Sequence, residues 1–503
     1  MSRSRGQRPT PRTRHAAGHA AGAAARDAAR DPQRLKARAT SGLAQPTQPT
    51  PERPASATHA AVAFSGVACM LLCVTLLNFW HPVHQIAHLA LIVMAATAVG
   101  VFVPDLLWQK VQWRTLAPAA SIAAAIASQS PSTSTSANPA TLDSSAARVA
   151  TKLVGLLGSI GCIAALYWLF PEYGSQGFYT NYWTALRVVL PLWALVCVPY
   201  IYWVDRHLRE PRDGLWQMGR ALTLQWQDVS GRVLAQHLLG WLGKGYYLPL
   251  MFTYFCDNLD KLLHYDLKLL HGFQGYYDWA YFTLYFIDVA LVSMTYLMSL
   301  KLTDTHIRST EPTAFGWLVA LVCYEPFWSL IGAQYIAYDN GRAWGQWFSH
   351  SPFLYTFWGC LILLMIVIYV WSTIAFGARF SNLTHRGIIT NGPYRYSKHP
   401  AYLAKNLSWW LISMPFVINV SVAQSLRCCV LLCALNGIYY LRAKTEERHL
   451  SLDPVYRQYL QWIEVHGLLR FLDRVPLIGL LARWRPSFAA YTSPNRFTTD
   501  TAP

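Results

Sequence analysis

The run RGIITNGPYRYSKHPAY, Arg386 to Tyr402, sets Arg395, Lys398 and His399 beside Gly392-Pro393, Tyr394 and Tyr402 at the mouth of an apolar stretch. Further on, YYLRAKTEERHL brings Arg442, Glu446, Glu447 and His449 to the end of a second one. Imidazoles and carboxylates of this kind can take a proton, and the cations can hold a carboxylate. Whether they do depends on the chain bringing the two runs together.

The local signals say that it does. Gly392-Pro393 reads as a turn, because Pro fixes its own backbone angle and Gly relaxes its neighbour's. Pro400 stands where a helix can begin, since its missing N–H costs nothing in the first turn. From Ala401 the chain is apolar to Val420, turns near Ser421 and returns through Leu426 to Leu441. A hairpin of two spans comes back to the side it left, so Arg395, Lys398 and His399 face Arg442, Glu446 and Glu447 at one level of a membrane. Arg442 and Glu446, four apart, share a helix face, with Glu447 about 100° round the axis. Asp453-Pro454 reads as an N-cap and first-turn Pro, opening a helix with an apolar stripe of Val455, Tyr459, Trp462 and Ile463.

Composition supplies the membrane. Of 503 residues, 53% are hydrophobic and only 13% charged, against about 25% charged in soluble domains. Apolar stretches near the length that crosses a bilayer recur at 60–80, 85–107, 153–171, 186–204, 234–256, 279–300, 314–334, 353–376, 402–420 and 423–442, which makes about ten. Lys and Arg mark cytoplasmic loops. The Arg-rich first 59 residues and the loop with Arg206, Arg209, Arg212, Arg220 and Arg232 alternate with an acidic segment holding Asp257, Asp260, Asp266 and Asp278. Both termini are therefore expected in the cytoplasm, with the loops at 108–152, 301–313 and 377–401. The net charge of +17 suits anionic lipid headgroups rather than nucleic acid.

The expected organisation is a disordered basic tail over 1–59, a first hairpin over 60–107, a Ser/Thr/Pro linker over 108–152, a membrane region without a legible role over 153–352, a core over 353–470 and a tail over 471–503. The tail is too poor in large apolar residues to fold; its Arg-rich, acid-poor character also fits an organelle transit peptide. The ten cysteines show no CxxC spacing, so neither a disulfide framework nor a zinc ribbon is indicated. His81, His84 and His88, and His264 and His271, have no accompanying HExxH or carboxylate set, and no metal is expected. Asp288 and Glu325 fall within spans, where an ionisable residue is costly and points to function or to an interface.

GPYRYSKHPAY, the hairpin, RAKTEERHL and DPVYRQY together resemble the C-terminal core of the isoprenylcysteine carboxyl methyltransferase family and its phospholipid methyltransferase relatives, over about residues 355–470. Lys398 stands where that pattern usually has Arg, and Ala404 where it has Gly. The resemblance implies S-adenosylmethionine as cofactor, bound by Gly392, Pro393, Tyr394, Lys398, His399, Tyr402, Glu446 and Glu447. Its sulfonium and ammonium want aromatic faces and carboxylates, and its carboxylate wants Arg or Lys. An ionised carboxylate acceptor needs no general base, only a cation such as Arg395 or Arg442 to orient it; an amine or thiol would need His399, His449 or a Glu to take its proton. Arg395, Arg442 and His399 are the catalytic candidates.

The sequence thus describes an all-α, multi-pass membrane enzyme of about ten transmembrane helices, ending in a catalytic helical hairpin. The resemblance implies methyl transfer at the cytosolic membrane face to a lipophilic or prenylated substrate drawn from the bilayer, with an isoprenylcysteine-type carboxylate as the first expectation. The alternatives are a phospholipid N- or thiol S-methyltransferase, a sterol-type reductase using a nicotinamide cofactor, and a non-catalytic scaffold or transporter.

Overall fold

The computed structural model describes residues 51–80, 85–116 and 145–468. Within them the protein is helical, apart from one two-stranded ribbon. The helices that matter here are α1 (Ala60–Trp80), α2 (Ile86–Leu107), α3 (Ser145–Leu169), α4 (Thr180–His207), α5 (Gly214–Leu222), α6 (Gly231–Leu263), α7 (Phe273–Leu297), α8 (Ala314–Leu321), α9 (Pro352–Phe376), α10 (Pro400–Ser413), α11 (Val422–Leu450) and α12 (Pro454–His466).

Among the described residues seven helices are long and apolar enough to cross a membrane: α1, α2, α3, α4, α7, α9 with the turn that extends it to Arg379, and α11. The expected ten therefore fall to seven uninterrupted spans, and each shortfall has a local cause. The stretch 234–256 lies in α6, which is 33 residues long but carries Lys244 within it and Arg232, Asp257, Asp260 and Lys261 toward its ends. The stretch 314–334 breaks after Leu321, because the Pro326 ring cannot follow a helical carbonyl four residues back. A single π turn, Trp328–Gly332, resumes it. The stretch 402–420 is helical only through Ser413; Met414 adopts a left-handed conformation (φ 43°, ψ 51°), and Pro415 follows. At about 1.5 Å per residue, the 14 residues of α10 extend only about 21 Å, short of a hydrocarbon core of about 30 Å.

The charged ends of the helices meet at one end of the bundle. Fully buried Arg379 pairs with Asp105 at the foot of α2 at 3.1 Å, and Asp304 pairs with Arg114 at 3.3 Å. Nearby, Asp205 at the end of α4 takes Arg148 and Lys152 of α3 at 2.9 and 2.8 Å. Here too lies the ribbon of β1 (Ser309–Thr310) and β2 (Thr384–His385), antiparallel, with Ser309 opposite His385. At the other end Asn340 donates to the Met414 carbonyl at 3.3 Å and accepts at its own carbonyl from Asn419 at 2.9 Å, holding the α10–α11 turn.

Two expectations are revised by the packing. Asp288 is a link between helices: Tyr369 and Thr373 of α9 each donate to it at 2.6 Å. The end of the basic tail is ordered. Thr390 donates to the Pro54 carbonyl at 2.9 Å and to the Ser56 hydroxyl at 3.2 Å, while Ala57 N–H donates to the Ile388 carbonyl at 2.8 Å. This Pro-rich stretch lacks apolar bulk but satisfies the backbone of the 388–391 loop. Residues 1–50, most of the 108–152 linker, and the tail over 471–503 lie outside the described residues, as do His81 and His84.

Candidate active site

The loop between α9 and α10 is held from three sides. Gly392 has φ +55°, and a Cβ there would lie 3.2 Å from that of Ala375, so the turn needs the missing side chain. Pro393 and Tyr394 are buried, the latter with its ring 5.2 Å from Phe376. The Tyr459 hydroxyl of α12 donates to the Tyr394 carbonyl at 2.7 Å and lies 3.3 Å from that of Ser397. The segment 54–58 closes the opposite side.

So held, the loop delivers His399 to the end of α11. Its Nε2 lies 3.0 Å from Glu447 Oε1; Lys398 reaches the same oxygen at 3.1 Å, and Lys444 reaches Oε2 at 2.9 Å. Glu447 is buried, with a histidine and two ammonium groups around it. One helical turn along α10, the Tyr402 ring lies parallel to that of His399 (5.5 Å between centroids, 4° between planes), and its hydroxyl donates to Glu446 Oε2 at 2.9 Å. Glu446 is only half-buried and, among the described residues, has no cationic partner.

Arg442 is buried in an aromatic cage. Its guanidinium lies 5.3, 5.2 and 5.6 Å from the rings of Tyr324, Tyr402 and Tyr439. It donates to the Tyr324 hydroxyl at 3.3 Å and to the Asn382 side-chain carbonyl. Arg395 is exposed and does not line the crevice. The hairpin thus joins Lys398, His399, Tyr402, Arg442, Glu446 and Glu447 as the spacing implied, and leaves Arg395 outside.

Arg386 was missed as a site residue, although it opens the very run that drew attention. It is 1% exposed. Its Nη1 donates to the Thr295 carbonyl at 2.6 Å, near the end of α7, and the guanidinium lies 5.6 Å from the Tyr296 ring. Nε and Nη2 have no partner, and no carboxylate of the described residues pairs with it. Burial lowers its pKa to about 10, which leaves it a cation at neutral pH. Local spacing could not announce it, because an Arg is read as buried and unpaired only once its neighbours are known.

These groups line one crevice, with Arg386, His399, Tyr402, Arg442, Glu446 and His449 on its walls. Its free volume is about 80 Å³, below the range of about 300–1,000 Å³ that buries a drug-sized ligand. A nucleoside-sized ligand therefore enters by moving the rim, where Lys398 is a third exposed. Among the described residues no group of three or more His, Cys, Asp or Glu converges as metal ligands do.

The order and spacing of these residues along the chain have a counterpart among known proteins. Residues 353–452 match the isoprenylcysteine carboxyl methyltransferase (ICMT) family. Members of that family are S-adenosylmethionine-dependent methyltransferases, so the segment from α9 to just past α11 is a methyltransferase core with S-adenosylmethionine as its cofactor. The matched segment contains Arg386, Lys398, His399, Tyr402, Arg442, Glu446 and Glu447; Tyr324, which completes the Arg442 cage, lies outside it. No curated protein and no solved structure matches the chain.

The residues present suit the cofactor's charges. Glu446 offers a carboxylate to an ammonium, and the parallel rings of His399 and Tyr402 offer faces to a sulfonium.

Proposed function

We propose that the protein is an isoprenylcysteine-type carboxyl O-methyltransferase. Its acceptor is a lipophilic carboxylate that reaches the crevice from the bilayer, and the charged end of the bundle faces the cytosol. The Lys and Arg excess in the loops supports the orientation. The family match supports the reaction class.

The observation that carries the choice of acceptor is Arg386. A buried guanidinium without a carboxylate partner is costly, and the cost is offset only when an anion arrives. The acceptor's carboxylate is that anion. It is ionised at neutral pH, near pKa 3.5, so no residue need remove a proton. When bound, S-adenosylmethionine supplies the methyl group, which passes to a carboxylate oxygen as the carbon–sulfur bond breaks, giving a neutral ester and a neutral thioether.

The chain's part is positioning. Glu446 holds the cofactor's ammonium, with Tyr402 fixing that carboxylate by its hydroxyl. Glu447 gathers Lys398, Lys444 and His399 and so fixes the loop. Arg386 aligns the acceptor, and the apolar walls exclude water, which favours in-line displacement.

Two variants test this division in detergent-purified protein, with N-acetyl-S-farnesylcysteine as acceptor. Arg386→Ala is expected to lower kcat/KM for the acceptor by about 100-fold, the order of a lost charge-assisted hydrogen-bonded pair, while the calorimetric Kd for S-adenosylmethionine changes less than threefold. Glu446→Gln is expected to weaken cofactor binding instead. Loss of cofactor binding in Arg386→Ala with an unchanged acceptor KM would place Arg386 on the cofactor and overturn the assignment.

A further inference from the structure

A second cavity lies behind the ribbon, among α3, α4, the start of α5, α6 and the segment 299–309, with a volume of about 520 Å³. No residue of the family-matched segment lines it. The partition is thin: Ser309 faces this cavity, His449 faces the first, and the Ser309 hydroxyl lies 2.9 Å from His449 Nε2.

The charges around the cavity do not cancel. Asp205 is taken by Arg148 and Lys152, and Asp213 by Lys301 at 2.6 Å and Lys152 at 3.6 Å, while Asp213 also caps α5 by accepting from Trp216 N–H. Arg308 is taken by Asp304 at 3.0 Å. Glu210 is on the exposed rim. Lys244 is left: among the described residues its ammonium has no carboxylate partner, only the Leu297 carbonyl at 3.4 Å and the Trp241 ring at 5.7 Å. Two of the enclosing helices pack closely: Gly155 of α3 and Gly219 of α5 abut each other's helix backbones, where a Cβ would lie 2.0 Å from a carbonyl oxygen.

The rest of the wall sets polar Gln236, His237, Ser299 and His306 beside an apolar side. Tyr200, Ile201 and Val204 of α4 and Val233 and Trp241 of α6 line it, and α4 turns its outer face, including Leu192, Leu195 and Val196, to the surroundings. A cavity with one unpaired cation, walled by a membrane-spanning helix at the charged end of the bundle, suits an anion with an apolar tail. Its volume exceeds that of a bare carboxylate and admits a headgroup.

We infer that this cavity is a binding site for the phosphate headgroup of an anionic membrane amphiphile, with Lys244 as the counter-ion. The site does not depend on what the first crevice catalyses. Its volume is large enough for the glycerol-phosphate portion, and the acyl portion leaves past Val233, which is 39% exposed.

The test uses the full-length protein in a neutral detergent, with dihexanoyl phosphatidic acid, dihexanoyl phosphatidylcholine and inorganic phosphate as calorimetric probes. Saturable binding of phosphatidic acid, at least tenfold tighter than of phosphatidylcholine, is expected. It should weaken at least tenfold in Lys244→Gln and in Val233→Trp, which fills the cavity without removing a charge. Retained S-adenosylmethionine binding and an unchanged Tm show that a variant is folded, and if one variant does not fold the other carries the test. If inorganic phosphate binds as tightly as phosphatidic acid, the phosphate site stands and its natural ligand is soluble. Absent saturable binding of either phosphate probe, equal binding of phosphatidylcholine, or binding indifferent to the folded variants would overturn the inference.

Discussion

Nε2 of His399 lies 3.0 Å from Oε1 of Glu447, across 48 residues of chain and two helices. That contact closes the hairpin at its charged end, and it divides two neighbouring carboxylates by role. Glu447 is consumed by the protein's own cations, whereas Glu446 meets only the Tyr402 hydroxyl. The first is structural in the free protein, and the second is available to a ligand.

Glu447→Gln and Glu446→Gln should therefore differ in kind. Removing the Glu447 charge leaves Lys398, Lys444 and His399 crowded without an anion and should cost about 2–3 kcal/mol of stability, toward the low end for a broken buried pair because the lysines are partly exposed. Glu446→Gln should leave the Tm of the free protein nearly unchanged and weaken S-adenosylmethionine binding. Thermal unfolding and calorimetry on the same preparations separate them; equal loss of Tm in both variants would contradict the division.

Tyr402→Phe keeps the ring between His399 and Arg442 and removes one hydrogen bond. Cofactor affinity should fall about 5- to 10-fold, the order of 1 kcal/mol for one such bond. Tyr402→Leu, which also removes the aromatic face, should fall well below that. Equal effects from the two would mean that the ring contributes nothing.

Arg386→Met should behave unlike an ordinary buried substitution. The guanidinium has no ion partner to lose, so the free protein should keep its Tm or gain slightly, by up to about 1 kcal/mol, while acceptor turnover collapses. A drop of several degrees in Tm with turnover per folded molecule preserved would make Arg386 a packing residue.

His385 supplies a pH dependence. Burial holds its pKa down at about 4, with Asp453, 3.4 Å away, only partly opposing. The folded protein keeps the ring neutral, whereas the unfolded chain protonates it below about 6.5. The unfolded state thus binds the extra proton in that window, so this residue's contribution is complete above pH 6.5 and is lost as pH falls toward 4. Between pH 7 and 5 the loss should be about 2 kcal/mol, and His385→Asn should flatten the fall in Tm over that range. An unaltered pH profile in the variant would contradict it.

Asp288→Asn tests the transport reading that an intramembrane acid invites. With Tyr369 and Thr373 donating to it, the substitution should cost about 1–3 kcal/mol of stability and leave methyl transfer per folded molecule unchanged. Loss of activity without loss of Tm would return Asp288 to function.

Much of the site was legible because its parts are local in sequence. A turn at Gly392-Pro393, a helix start at Pro400, and acids one turn after Arg442 each have a short-range signature, and a hairpin does the rest. What the sequence hid is long-range. Asn382 and Arg386 reach the crevice, and Tyr324 the Arg442 cage, by pairings that leave no periodicity, and a ribbon of two residues per strand is too short to leave one. Arg395 was read as catalytic because it is a cation in the right loop, but the Gly392 turn points it outward. The count of ten is not reached where Pro326 and Pro415 interrupt apolar stretches, and where Lys244 and the charges near its ends leave the continuous α6 short of an apolar span.

The most direct measurement is transfer of tritiated methyl from S-adenosylmethionine to N-acetyl-S-farnesylcysteine by the full-length protein in lipid nanodiscs, with the product treated with alkali. A carboxyl methyl ester releases volatile labelled methanol, whereas an N-methyl or S-methyl product does not. Base-labile label in the wild type, lost in both Glu446→Gln and Arg386→Ala, is the predicted result. A folded, cofactor-binding protein that yields alkali-stable label, or none, would contradict the carboxylate assignment.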